Sequence, residues 1–269
     1  MAAARGKDVI VHGWNPAYPD WAAQVPRQTQ EVICAARASG ATVILAGNVY
    51  VYGEDAPEAF GPHLEHAARN PLGRIRVEME RQLRGAGIPL IVLRAGDFLD
   101  TEASGNWLDR IMAKSLHKSV LTYPGDPDIP HAWAFLPDMA RAVVMLAERR
   151  TALPRTSDIA FPGYTLTGRE LANLCGQALG RDVRVKPMAW WPLQLARPIL
   201  PLAASLLEMR YLWNKPHHLA RGSFDHVATD FTPTPVKEAI ARAISPLVAG
   251  TDRPRPADAV PDRSRPQTA

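Results

Sequence analysis

Glycine-rich phosphate-binding turns are missing from this 269-residue sequence. None of its 18 glycines falls into a GxGxxG or GxxGxxG pattern; Gly85-x-Gly87 comes nearest, and it precedes a strand instead of following one. Such a turn holds a pyrophosphate on backbone N–H groups at a helix N-terminus, so without it dinucleotide affinity is expected to be poor. Cysteine is scarce as well. Cys34 and Cys175 both fall in helical apolar patterns and read as small core residues of a reducing, cytoplasmic compartment, not as a disulfide. There is no block of Lys and Arg, and a net charge of +4 is only mildly basic, which argues against nucleic acid as a partner. Long apolar runs are also lacking. The first, Val9 to Val11, is too short for a signal peptide. The Leu-, Ala- and Trp-rich stretch from Trp190 to Trp213 is broken by Arg197, Glu208, Arg210 and three prolines, which argues against a membrane span and for buried or groove-lining helices. His63-x-x-His66 has no carboxylate or Cys at a familiar spacing, so no metal is expected.

The most informative stretch that is present runs from Thr42 to Asp97. TVILAG and IPLIVL are short apolar runs flanking PLGRIRVEMERQLRGAG, in which Leu72, Ile75, Met79 and Leu83 share one helical face. Strand, helix, strand in that order is a βαβ unit of a parallel sheet. Upstream, DVIVHG reads as a strand, with Pro26 opening a helix that Gly40 ends. Downstream, a helix over Trp107 to Ser115 and the strands SVLTY and HAWAF are expected, then a helix starting at Pro137 or Asp138 with Met139, Val143 and Leu146 inward. From Ser157 a smaller lobe is expected. It holds a strand at DIAFPG, a capping box at Thr167-Gly-Arg-Glu170, a strand at VRVKPM and a last helix after Thr234-Pro235. The proline- and charge-rich residues from Gly250 onward are expected to be disordered.

A strand followed by VYG at Val51–Gly53, then a helix written Gly73-Arg-Ile-Arg-Val-Glu-Met-Glu80, resembles the extended short-chain dehydrogenase/reductase superfamily of nucleotide-sugar epimerases, dehydratases and reductases. Arg94 and Phe98 in RAGDF, and the strand-to-helix phrase HAWAFLPD, extend the resemblance over residues 8 to about 248. It implies an α/β fold: a Rossmann-like doubly wound parallel sheet, incomplete on its N-terminal side, in residues 1–156. A smaller C-terminal substrate lobe follows in 157–249, then a tail in 250–269. The strand DVIVHG corresponds to the family's fourth strand, so at least two βα units of about 30 residues each lie upstream of it in that family. The favoured expectation is that Met1 is an internal methionine of a longer reading frame, ahead of a truly truncated protein.

The resemblance also implies a cofactor, NAD or NADP, a small sugar-nucleotide or other hydroxy/carbonyl substrate, and a homodimer formed through the GRIRVEMERQL helix. The family's catalytic Ser/Thr, Tyr and Lys fall on Asn48, Leu72 and Arg76. Leu72 cannot do acid/base chemistry, and Arg76 keeps a cation for ribose hydroxyls without donating a proton. Asn48 can hydrogen-bond a carbonyl, and Tyr50 or Tyr52 could supply a displaced phenol. The expected catalytic residues are therefore Asn48, Tyr50 and Arg76. The cofactor contacts implied are Asn15, Gly47, Asn48, Arg76, Arg94, Gly96 and Asp97, and the substrate contacts Tyr52, Trp107, His131 and Trp133. Tyr211-x-x-x-Lys215 has the family's spacing but lies far from its place, and reads as chance. Set against an oxidoreductase or epimerase are a non-catalytic dinucleotide-sensing or protein-binding relative and an inactive fragment, since fold does not fix function.

Overall fold

The computed structural model describes residues 2–249; the expected disordered tail lies outside the described residues. The chain enters through β1 (Val9–His12), α1 (Trp21–Ser39), β2 (Thr42–Gly47), the two-residue β3 (Ala59–Phe60), α2 (Pro71–Gly85) and β4 (Leu90–Arg94). It continues through β5 (Asp97–Leu99), β6 (Val120–Tyr123), β7 (His131–Phe135), α3 (Leu136–Glu148) and β8 (Thr156–Ala160). The main sheet is parallel with strand order β1-β2-β4-β8. β2 and β4 are nearly continuous buried Val, Ile, Leu and Ala, as expected of parallel strands covered on both faces.

Alternation along β2 and β4 decides which helix covers which face. Val43, Leu45, Leu90 and Val92 pack with Trp21, Val25 and Ile33 of α1 and with Leu72, Met79 and Leu83 of α2. Ile44, Ile91 and Leu93 point the other way, onto Met139, Ala142 and Leu146 of α3. The result is the three-layer, Rossmann-like arrangement implied by the βαβ reading. The outer edge of β1 pairs with no strand among the described residues, and Val11 and Trp14 beside it are half-exposed.

Beyond β8 come β9 (Tyr164–Leu166), α4 (Gly168–Leu179), β10 (Arg184–Pro187), α5 (Trp191–Ala196), α6 (Pro201–Glu208), β11 (His218–Leu219), α7 (Gly222–Val227) and α8 (Val236–Ala249). A further apolar cluster gathers Leu171 and Cys175 of α4, Ile240 and Ile244 of α8, and Leu108, Met112, Leu121 and Trp213. The capping box is present: Thr167 accepts from the Glu170 N–H while the Glu170 carboxylate accepts from the Thr167 N–H. β5, β7 and β9 form a separate small sheet in the order β5-β7-β9.

Several elements differ from the sequence reading. β8, assigned there to the smaller lobe from residue 157, is the fourth strand of the main sheet, because Ile159 is buried with Ile44, Ile91 and Met139. Phe224 of α7 returns to that same layer. α1 starts at Trp21, five residues before Pro26, which sits inside the helix and forgoes one backbone hydrogen bond. Leu108–Met112 is a π-helical turn followed by 3-10 turns over Ala113–Lys118, not an α-helix. Cys175 is buried as expected, but Cys34 lies on the solvent face of α1 between the buried Ile33 and Ala36.

Candidate functional site

In open parallel sheets, ligands meet the chain where the strands end at their carboxyl side. Here the segments leaving β1, β2 and β4 bring Asn15, Tyr18, Asn48, Tyr50 and Asp97 to that edge. α2 and β7 add Arg76 and His131.

Arg76 is the most unusual member. It is 6% exposed, and its guanidinium carbon lies 4.0 Å from the centre of the Trp21 ring. Nη2 donates to Asn15 Oδ1, Nη1 reaches the Met79 sulfur at 3.7 Å, and Nε has no partner. Among the described residues no carboxylate lies within ion-pair distance, Glu80 acting on it only from farther away. Burial pushes its pKa down to about 10, partly offset by Tyr50, Glu80 and Tyr18, so it is still a cation at neutral pH. Burial and Arg76 together lower the pKa of the neighbouring His12.

Beside it the Tyr18 and Tyr50 hydroxyls share a hydrogen bond of 2.7 Å, and the Tyr50 ring stacks on Trp21 at 6.1 Å. Burial first, and the Asp97 carboxylate as a smaller cause, push Tyr18 up to about 12 and Tyr50 well above its ordinary value. Both phenols are therefore neutral at pH 7. They can donate hydrogen bonds but cannot serve as bases there. Asn48 holds the turn that presents Tyr50: its Oδ1 accepts from the Tyr50 N–H at 3.1 Å, and its carbonyl accepts from Arg94 at 2.7 Å.

Opposite the phenols, Asp97 Oδ2 lies 2.7 Å from His131 Nε2. His131 is 2% exposed and sandwiched by aromatics. Trp213 stacks flat on it at 4.2 Å, His217 meets it edge-on at 4.4 Å, and Trp133 lies at 5.0 Å. Trp107 closes the group from the π-helical turn, 5.0 Å from Trp213. Asp97, 18% exposed, is the wetter end of the pair. A carboxylate bonded to an imidazole is an arrangement able to orient the ring and fix its tautomer. Trp133 Nε1, buried in the same cluster, has no partner.

The remaining expected site residues are committed to the scaffold. Arg94 is fully buried, with Nη2 at 2.8 Å from Glu80 and 2.7 Å from Asp158. His66, Glu80 and Asp158 bring three metal-ligand types within 4.8 Å of one another, but the Arg94 guanidinium bonds both carboxylates and fills the place a cation would take. Tyr52 donates to the Gly61 carbonyl at 3.0 Å and packs on Phe60. A side chain at Gly96 would overlap the Ala132 backbone of β7, and one at Gly47 would press on Val92, so both glycines serve strand packing. Leu72 is a core residue whose N–H donates to Glu208 at 2.6 Å, tying α6 to the N-terminus of α2. Lys215 is extended and its ammonium bonds the Ala56 carbonyl, while the Tyr211 hydroxyl is buried without a partner.

The structure thus brings together Asn15, Asn48, Tyr50, Arg76, Asp97, Trp107, His131 and Trp133. It adds Tyr18, Trp21, Trp213 and His217, which sequence reasoning did not single out as site residues. Tyr18 had a usable signal, because it lies in the segment that leaves the first strand; Trp213, more than 80 residues from His131, had none.

No protein-family model and no curated protein matches the chain. Solved structures do. A candidate epimerase from Burkholderia cenocepacia superposes with a TM-score of 0.71 at 15% identity, covering 92% of this chain and 78% of that one. MoeE5 in complex with UDP-glucose and NAD superposes with a TM-score of 0.71 at 14% identity, covering 93% and 82%. UDP-glucuronic acid 4-epimerase from Bacillus cereus, in complex with UDP-glucuronic acid and NAD, gives 0.67 at 14% identity, covering 89% and 75%. At these identities the likeness establishes the fold, which is that of epimerase/dehydratase-type Rossmann-like proteins.

Proposed function

We propose that the protein binds a nucleotide-type ligand at the carboxyl edge of its main sheet and acts on a hydroxy or carbonyl group, as an atypical NAD(P)-dependent oxidoreductase or epimerase. In this reading Asp97 and His131 handle the proton that the family gives to a helix tyrosine. The observation that carries it is the buried Arg76 guanidinium, which among the described residues has no hydrogen-bond partner at Nε and no carboxylate at ion-pair distance. A buried charge without a counter-ion is costly, and an anionic or polyhydroxylated ligand relieves that cost. Solved proteins of the same fold carry UDP-sugars and NAD, both of that chemistry.

For the cofactor, the fit is one-sided. Arg76, Asn15 and the Asn48 turn offer a cation and amide groups suited to ribose hydroxyls. No glycine-rich turn offers backbone N–H groups to a pyrophosphate. When bound, a nicotinamide supplies hydride exchange with a substrate carbon. This chain's own residues would do the rest. Arg76 would anchor the ligand, the neutral Tyr18 and Tyr50 phenols would donate to a substrate oxygen, Trp107 and Trp133 would exclude water, and His131 would exchange a proton while Asp97 orients its ring.

A second reading is a ligand-sensing relative without turnover. Leu72 in place of the tyrosine, and two phenols held neutral, favour it. Calorimetric titration with NADH, NADPH and UDP-glucose, followed by a turnover assay with the ligand that binds, tests both. Binding with turnover that His131→Asn abolishes supports the enzyme, and binding without turnover supports the sensor. A folded protein that binds none of the three at millimolar concentration overturns the proposal.

A further inference from the structure

The helical hairpin of α5 and α6 is an apolar surface that the ligand site does not use. Trp191 and Leu195, one helical turn apart on α5, are 65% and 71% exposed. Ile199 and Leu200 in the connection are 87% and 47% exposed, and Leu202 at the start of α6 is 40% exposed. The two helices pack against each other, so these side chains belong to one structural unit. It is anchored from beneath by Trp190, whose indole N–H donates to the Pro124 carbonyl at 2.7 Å, and by Ala203 and Met209 in the core. Large apolar side chains standing together in water mark an interaction surface.

The charge pattern says what kind of surface it meets. Residues 183–207 contain no Asp or Glu, while Arg184, Lys186 and Arg197 are all exposed. Arg210, also exposed, lies over the Trp190 ring at 5.2 Å. From Pro187 to Ala204 the only polar side chains other than the indole N–H groups are Gln194 and Arg197, so there is almost no polar rim with which to read a specific protein partner. An apolar tip carrying Trp, Leu and Ile, with Arg197 in the same hairpin and Arg184 and Lys186 on the strand that leads into it, suits the boundary between acyl chains and anionic headgroups.

We infer that the α5–α6 hairpin docks the protein on an anionic lipid surface, with Trp191, Leu195 and Ile199 entering the interface and Arg184, Lys186 and Arg197 meeting lipid phosphates. No helix among the described residues is long and apolar enough to cross a membrane, so the contact is peripheral. It is independent of what the sheet-edge site binds.

The test is co-flotation of the full chain with vesicles of phosphatidylcholine alone and of phosphatidylcholine mixed with phosphatidylglycerol. Binding is expected on the anionic vesicles, at least about tenfold weaker on neutral ones and weakened by salt. A Leu195→Asp/Ile199→Asp variant, altered only at exposed positions and checked for an unchanged thermal melt, should lose at least about tenfold in binding. Arg184→Glu/Lys186→Glu should lose the preference for anionic vesicles. Failure to bind anionic vesicles, or equal binding by the Asp variant, overturns the inference. So does a dimer in solution that the Asp variant dissolves while vesicle binding is absent, which would make a second copy the occupant.

Discussion

Arg76, Arg94 and His217 are three buried groups that could carry charge, and each is handled differently. Arg94 is neutralised by Glu80 and Asp158, whose attraction outweighs the burial that would lower its pKa. Glu80→Gln leaves that guanidinium short of a counter-charge, and the expected loss is about 3–5 kcal/mol in urea denaturation. His217 avoids charge altogether. Burial first, and then His131, hold its pKa down to about 3, against an ordinary value of 6.5. Below about pH 6.5 the unfolded chain takes up a proton that the folded one refuses. The stability contributed is therefore full above about pH 6.5 and falls as the pH drops toward 3, by up to about 1.4 kcal/mol per pH unit. His12 and His66 are lowered too and act in the same direction. His217→Phe, which keeps the stack on Phe60, should flatten this slope in denaturation measured at several pH values. At this level Asp97 and Tyr50 were expected at a site from their places after strands, and His131 from its place ahead of the helix that starts near Pro137. Their mutual distances were not, because the Asp97–His131 contact depends on β5 pairing with β7 across the insertion between them.

Among the elements, two junctions can be tested by single substitutions. The first is the N-terminus of α4, whose capping box is a local sequence pattern and was readable as such. Thr167→Ala should cost about 1 kcal/mol, seen as a lowered melting temperature. The second is the approach of the Pro124–Gly125 turn to Trp213, where any side chain on residue 125 would overlap the Trp213 backbone. Gly125→Ala should push Trp213 off the His131 ring, lowering stability and shifting the His131 ring resonances in NMR. Nothing in the sequence announces this junction. It joins residues nearly 90 apart through shape alone, and periodicity reports only local order. The same limit explains β8 and α7. An apolar strand after a helix does not say which sheet it joins, and Phe224 reveals its place in the main core only through contacts with Phe161 and Phe231.

For the molecule as a whole, the βαβ pattern and the VYG–GRIRVEMERQL phrase were enough to anticipate the parallel, three-layer fold. The order β1-β2-β4-β8 bears that out. The chemistry was less legible, because the positions that the resemblance assigns to catalysis hold Asn48, Leu72 and Arg76, and in the structure Asn48 holds the turn that presents Tyr50 while Leu72 lies in the core. What is left is a cluster of neutral phenols, an imidazole–carboxylate pair and a buried cation, Arg76, with no carboxylate at ion-pair distance among the described residues. That cation is the centre of the functional account. Arg76→Met, which keeps the stem over Trp21 and removes the charge, separates a ligand anchor from a structural residue. The measurement is calorimetric titration of wild type and Arg76→Met with the nucleotide ligand that wild type binds, with urea denaturation of both in its absence. At least about tenfold weaker binding is expected, with stability equal or higher by about 1–4 kcal/mol, since removing an unpaired buried charge relieves a desolvation cost. Undiminished binding, or stability lost along with it, would contradict the account and make Arg76 part of the scaffold.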